Sequence, residues 1–135
     1  MACADSMRYL RPSLLVCQIL VSSIAIAQQA ALDQDARVIE ILRQNGSDLA
    51  KPHAVDFFFL LPAESAATAV AKELQSAGYS LRRVHRSAKT NSWEVHAQRL
   101  MVPELAVMQA TTITLTALAR KYGGIYDGWG APVAK

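Results

Sequence analysis

The chain has 135 residues, with 14 lysines and arginines against 11 aspartates and glutamates, for a formal charge of +3. That length holds one domain and no more. Both cysteines, Cys3 and Cys17, fall in the first 27 residues, so the remainder has no disulfide, no thiol catalysis and no cysteine metal site. The basic charge is local rather than global, because Arg82, Arg83, Arg86, Lys89 and Arg99 lie close together in sequence.

Residues 1–27 read as a secretory signal peptide. Arg8 and Arg11 form a positive start, with Met7 as a second candidate initiator. Ser13 to Ile26 is a mostly apolar run. Ala25 and Ala27 frame a small-residue cleavage site that places the cut before Gln28. The run is shorter than the roughly 20 residues a membrane span needs, so the mature chain carries no span. The expected address is the periplasm or the exterior. The competing reading is a buried N-terminal helix.

Residues 28–32 read as a flexible lead-in, followed by one domain over residues 33–135. Asp33 or Asp35 is placed to cap a helix whose apolar positions are Val38, Ile41 and Leu42, and Gly46 stops it. Val55 to Leu61 has apolar residues on both parities and reads as a central strand. A helix over Glu64–Ala77 carries Ala67, Val70, Ala71 and Leu74 at helical spacing, with Gly78 as its stop. Two strands, Tyr79–Arg86 and Trp93–Met101, flank the turn residues 87–92 as a hairpin. Pro103 and Glu104 open a long helix with apolar positions Leu105, Met108, Ile113, Leu115, Leu118 and Tyr122, across a β-prone threonine run. Gly123 ends it, and residues 125–130 form the last strand. The order predicts an α+β fold of the ferredoxin-like β-α-β-β-α-β type. It has a four-stranded antiparallel sheet with strands one and three central, both helices on one face, and one extra N-terminal helix.

Half of the Phe57–Phe59 run must face away from those two helices. The extra helix, a second copy in a homodimer, or a ligand or partner would cover it. His85 and His96 oppose each other if the hairpin turns between Thr90 and Asn91. Such a pair is a weak candidate for Zn²⁺, Cu²⁺ or acid–base work, against the ordinary reading of surface histidines. The arginines Arg82, Arg83, Arg86 and Arg99 would form a basic patch for phosphate or an acidic protein, with Trp93 near enough to stack on a base. The ordinary alternative is an edge strand protected by charge, and no RNA-binding aromatic motif supports nucleic acid. Asp56 and Asp127 would meet on one sheet face, where a carboxylate pair suggests metal or general-base chemistry; a turn role for Asp127 is the simpler reading. No P-loop, GxGxxG, HExxH, GxSxG or CxxC is present, so no catalytic residue, resident metal or cofactor is expected.

The closing Tyr126-Asp127-Gly128-Trp129-Gly130 resembles the YDGWG end of the regulator of ribonuclease E activity B (RraB) family. The Asn45-Gly46-Ser47-Asp48 exit of the first helix, the Val55–Leu61 strand, the Gly78-Tyr79 turn and the Met101-Val102-Pro103 helix start resemble the same family, so the likeness runs from about Asp33 to Gly130. It implies a small α+β domain that acts by protein contact and not by catalysis. The family's described task is to bind a cytoplasmic endoribonuclease and lower its activity. The described regulators are acidic with an acidic tail, whereas this chain is basic and carries a leader. The reading is therefore an exported binding module. Its contact residues are drawn from Tyr126, Asp127, Trp129, Asp56 and the hairpin arginines. The alternatives are a cytoplasmic ribonuclease regulator if the leader is unused, and a small metal binder or enzyme using His85 and His96.

Overall fold

The computed structural model describes residues 12–135, with side chains described at Ser23 and from residue 25 onward. The expected positive start at Arg8 and Arg11, the alternative start at Met7, and Cys3 lie outside the described residues. The chain divides into two compact units at Ala30/Ala31. In the first, the residues from Pro12 onward are helical; among the described residues no helix is long and apolar enough to cross a membrane. The second, Ala31–Lys135, holds the sheet and the core.

Seven elements follow in order: α1 (Pro12–Gln44), β1 (His53–Leu61), α2 (Glu64–Ser76), β2 (Ser80–Arg86), β3 (Trp93–Met101), α3 (Leu105–Lys121) and β4 (Ile125–Gly130). The strands form one antiparallel sheet in the order β2-β3-β1-β4, the predicted ferredoxin-like α+β arrangement with β1 and β3 central. All three helices end alike. The amide three residues past the last helical residue reaches back to a carbonyl five residues earlier: Ser47 to Leu42, Tyr79 to Leu74, and Gly124 to Ala119.

One face of β1 is sealed. Val55, Phe57, Phe59 and Leu61 are fully buried against Leu74, Met108 and their neighbours on α2 and α3. Each Å² of apolar surface this face removes from water favours folding by about 25 cal/mol. Leu42 of α1 joins the same cluster, and Asp35 of α1 bonds to α3 and β4 on that side. The Ala31–Gln44 part of α1 thus adds to the covered face and does not shield the other one, contrary to one of the sequence-based options.

Three local expectations are corrected. Residues 28–32 are helical and continuous with α1 in this chain, and Asp33 and Asp35 lie inside the helix, so neither caps it. The buried stripe of α1 runs through Asp35 and Leu42, two turns apart, and leaves Ile41 56% exposed. On α3 the buried stripe is Met108, Thr112, Leu115 and Ala119, whereas Leu105 and Ile113 face water. Within the threonine run, which is helical throughout, the Thr111 and Thr114 hydroxyls donate to the carbonyls of Val107 and Ala110 four residues back, at 2.8 and 3.1 Å.

Two bulges sit on the edge strands. On β4, Phe58 pairs with Gly128 and Phe59 with Tyr126, so Asp127 is the extra residue; Gly128 accommodates it at φ +103°. On β2, Leu81 pairs with Ala97 and Arg83 with His96, which makes Arg82 the extra residue. Where β4 begins, a Cβ at Gly124 would lie 2.5 Å from the Leu60 carbonyl oxygen, so only glycine lets the backbones approach.

Candidate functional site

The uncovered face of the sheet is built by alternation. Because Phe57 and Phe59 point into the core, Phe58 must point out, and it is 41% exposed. The pairing aligns Arg83, His96, Phe58 and Gly128 in one row across all four strands. The Phe58 and His96 rings are stacked, with centroids 4.8 Å apart and 22° between planes. His96 Nε2 donates to Asp56 Oδ1 at 2.8 Å, and Gln98 Nε2 donates to the same oxygen at 3.0 Å. Asp56 therefore fixes both neighbours, and the imidazole is held flat against Phe58. One row along, His85 and Glu94 form a pair at 3.4 Å. A depression of about 190 Å³ opens over this region, lined by Phe58, Leu60, Arg83, His85, His96 and Asp127 among others.

The structure sorts the sequence candidates. His85 and His96 do not oppose each other. Ser87 N–H bonds Ser92 O at 2.8 Å and closes the turn one residue earlier than expected, so His85 meets Glu94 and His96 meets Arg83. They share the depression, but among the described residues no group of three or more His, Cys, Asp or Glu is placed to hold a metal ion. The hairpin arginines do not make one patch. Arg83 lies on the open face and Arg82 in the bulge. Arg86 donates to Asn91 Oδ1 at 2.7 Å. Arg99 turns to the helix side, 5.2 Å over the Tyr79 ring, beside a groove of about 540 Å³ between α2 and α3. Asp56 and Asp127 both reach the open face, but Asp56 is engaged by His96 and Gln98 rather than by Asp127.

Two expected contact residues belong to the core. Trp129 is 7% exposed, and its Nε1 donates to Asp35 Oδ1 at 2.9 Å. Tyr126 packs on Phe59 with ring centroids 5.3 Å apart, and burial together with the Asp35 charge holds its phenol well above the usual tyrosine range. Both are placed inward by the alternation of β4 around the Asp127 bulge, so of the closing pentapeptide only Asp127 offers a charged side chain to the surface.

Sequence reasoning missed two buried polar nodes. Asp35, 3% exposed, accepts from Trp129 and from Thr112 Oγ1, the latter also at 2.9 Å. Burial raises its pKa, and the two hydrogen bonds partly offset that rise. His53, 1% exposed, donates from Nδ1 to the Lys51 carbonyl at 2.8 Å and accepts the Ser47 hydroxyl at Nε2, 2.6 Å away. Ser47 Oγ in turn accepts the Ala134 amide at 3.0 Å, and Asp48 N–H donates to Ala134 O at 2.6 Å. The only available signal was the Gly-Ser-Asp exit; its partner at the far end of the chain carries no motif.

The molecule is thus a two-layer α+β domain whose uncovered sheet face presents an aromatic ring beside polar groups held by hydrogen bonds. Residues 32–131 match the family model described as Regulator of ribonuclease activity B. The chain belongs to that family, RraB, a regulatory family that is not catalytic. No curated protein matches it.

Proposed function

We propose that this chain is a non-enzymatic regulator that binds a protein partner through the open sheet face, and that residues 1–27 export it to the periplasm or beyond. The observation that carries the binding reading is the Phe58–His96 stack, exposed to water yet locked in place by Asp56 and Gln98. An aromatic anchor already held in one conformation loses little entropy on contact, which is what a binding hot spot requires. Family membership points to a ribonuclease as the class of partner. If export holds, that ribonuclease or another target shares the outer compartment. The second reading, a cytoplasmic regulator that keeps its leader, rests on the family's described task alone.

The test has two parts. Mass spectrometry of the expressed protein from separated compartments should find a chain beginning at Gln28 outside the cytosol; an intact leader in the cytosol would overturn export and leave the second reading. Titration of a purified endoribonuclease of the family's target type with the wild-type chain should lower cleavage. Phe58→Asp should abolish the effect while its circular dichroism stays native. Inhibition that is indifferent to Phe58→Asp would remove the open face from the function.

A further inference from the structure

We infer that the open sheet face is self-complementary and that its occupant is a second copy of this chain, forming a two-fold dimer sheet to sheet. The inference rests on the reading of this face as a contact surface and names what sits on it when the protein partner is absent.

The argument starts from two charges without partners. Arg83 on β2 and Asp127 on β4 both line the depression over Phe58, and neither makes an ion pair or side-chain hydrogen bond among the described residues. They sit on the two edge strands, three strand spacings apart, or about 14 Å, which is beyond the reach of an ion pair within one chain. One end of the central row is thus positive and the other negative, with the Phe58–His96 stack between them.

A two-fold axis parallel to the strands, running between β3 and β1, exchanges the two ends of every row. It sets Arg83 of one copy against Asp127 of the other, twice. It also sets His96 against the partner's Phe58, so the two intrachain stacks meet. In the next row toward the end of β3, Gln98 comes to face Asp56 of the second copy, whose second carboxylate oxygen is not used by its own chain's hydrogen bonds. Beyond it Leu100, 71% exposed, faces Ala54. At the other end His85 faces Ile125, which is 63% exposed. One operation therefore covers the two most exposed aliphatic residues of the sheet and pairs both free charges. An isologous interface requires this property, in which residue i meets j and j meets i. An unrelated partner would have to supply the same charge order by itself.

The size sets the strength. Four strands about 4.8 Å apart and nine residues at about 3.3 Å each make a face of roughly 500–600 Å², at the small end for a specific interface. The dimer should be reversible and visible only as concentration rises.

Sedimentation velocity of the full chain from micromolar to millimolar concentration tests this. The wild type should shift from monomer to dimer. Arg83→Glu alone and Asp127→Lys alone each place like charges opposite one another twice, and should weaken self-association by at least about tenfold. The double exchange Arg83→Glu/Asp127→Lys should restore it. These are surface positions, so thermal melts of all three variants should match the wild type and exclude misfolding. Self-association that ignores both single reversals, or a double variant no better than the singles, overturns the inference. A chain that stays monomeric throughout also overturns it. If Phe58→Asp still weakens ribonuclease inhibition in that last case, the face remains a contact surface and only the second copy is rejected as its occupant.

Discussion

Two aspartates in this domain have the same hydrogen-bond pattern and opposite surroundings. Asp35 Oδ1 accepts from Thr112 and Trp129 inside the core; Asp56 Oδ1 accepts from His96 and Gln98 on the open sheet face. The first pair of donors comes from residues 77 and 94 positions away and ties α1 to α3 and β4. The second comes from the neighbouring strand and ties nothing that the sheet ladder does not already hold. A carboxylate with two donors is a clamp on the fold where water is absent, and a means of orienting side chains where water competes. The difference separates the residues that make this domain from those available for it to use.

The largest expected effect breaks the buried member. Trp129→Ala should cost about 3–5 kcal/mol in urea unfolding, because it empties a core site and leaves Asp35 with one donor. A loss below about 1 kcal/mol would mean that Trp129 is not part of the core. The next effect sharpens the comparison through charge. Asp35→Ala should cost about 1–3 kcal/mol by stranding the Trp129 and Thr112 donors, whereas Asp35→Asn keeps an acceptor for both. Because burial raises the folded pKa of Asp35 above its ordinary 3.8, the folded chain holds that proton more tightly than the unfolded one. The stabilising contribution of the protonated form is complete below pH 3.8 and is lost as pH rises through the folded value. Wild type should therefore lose stability relative to Asp35→Asn between about pH 4 and that value, and the gap should stay flat above it. Denaturant titrations of both proteins across that range give the answer; a gap that does not change with pH would show that Asp35 ionises without penalty. The smallest effect falls on the open face. Asp56→Ala should change stability by less than about 1 kcal/mol, since the carboxylate is partly hydrated, yet free the His96 ring from its fixed orientation. Imidazole NMR line shapes and shifts report the second half of that statement.

The order and type of the elements in the second unit were legible because period is a local property. Ala67, Val70, Ala71 and Leu74 repeat as a helix must, and Phe57-Phe58-Phe59 between a loop and Pro62 has no better place than a central strand. What was not legible depended on residues distant in sequence or on single-residue insertions. Asp35 looks like a helix cap until Trp129 and Thr112 are brought to it. The His85–His96 pairing failed because the turn closes at Ser87 and Ser92, and a register shift of two residues replaces every partner while leaving each side chain on its face. The arginines were expected to act together because they are close in the chain, but alternation along β2 and β3 sends Arg83 and Arg99 to opposite faces. Conversely, parity alone showed that one side of the Phe57–Phe59 run faces away from the two helices, though not which residue it carries or what stands beside it.

The pinned C-terminal tail bears on the timing of synthesis. Strand β1, at the centre of the sheet, takes its partner on one side from β4, and the buried Ser47–His53 pair is completed by the amide of Ala134. Residues 125–134 thus supply groups that the earliest strand of the sheet needs. A nascent chain not yet extended through β4 and Ala134 has an open flank on its most apolar strand, and Ser47 Oγ lacks the Ala134 amide. Folding of this domain then waits for synthesis through Ala134, with contacts of high sequence separation closing near its end.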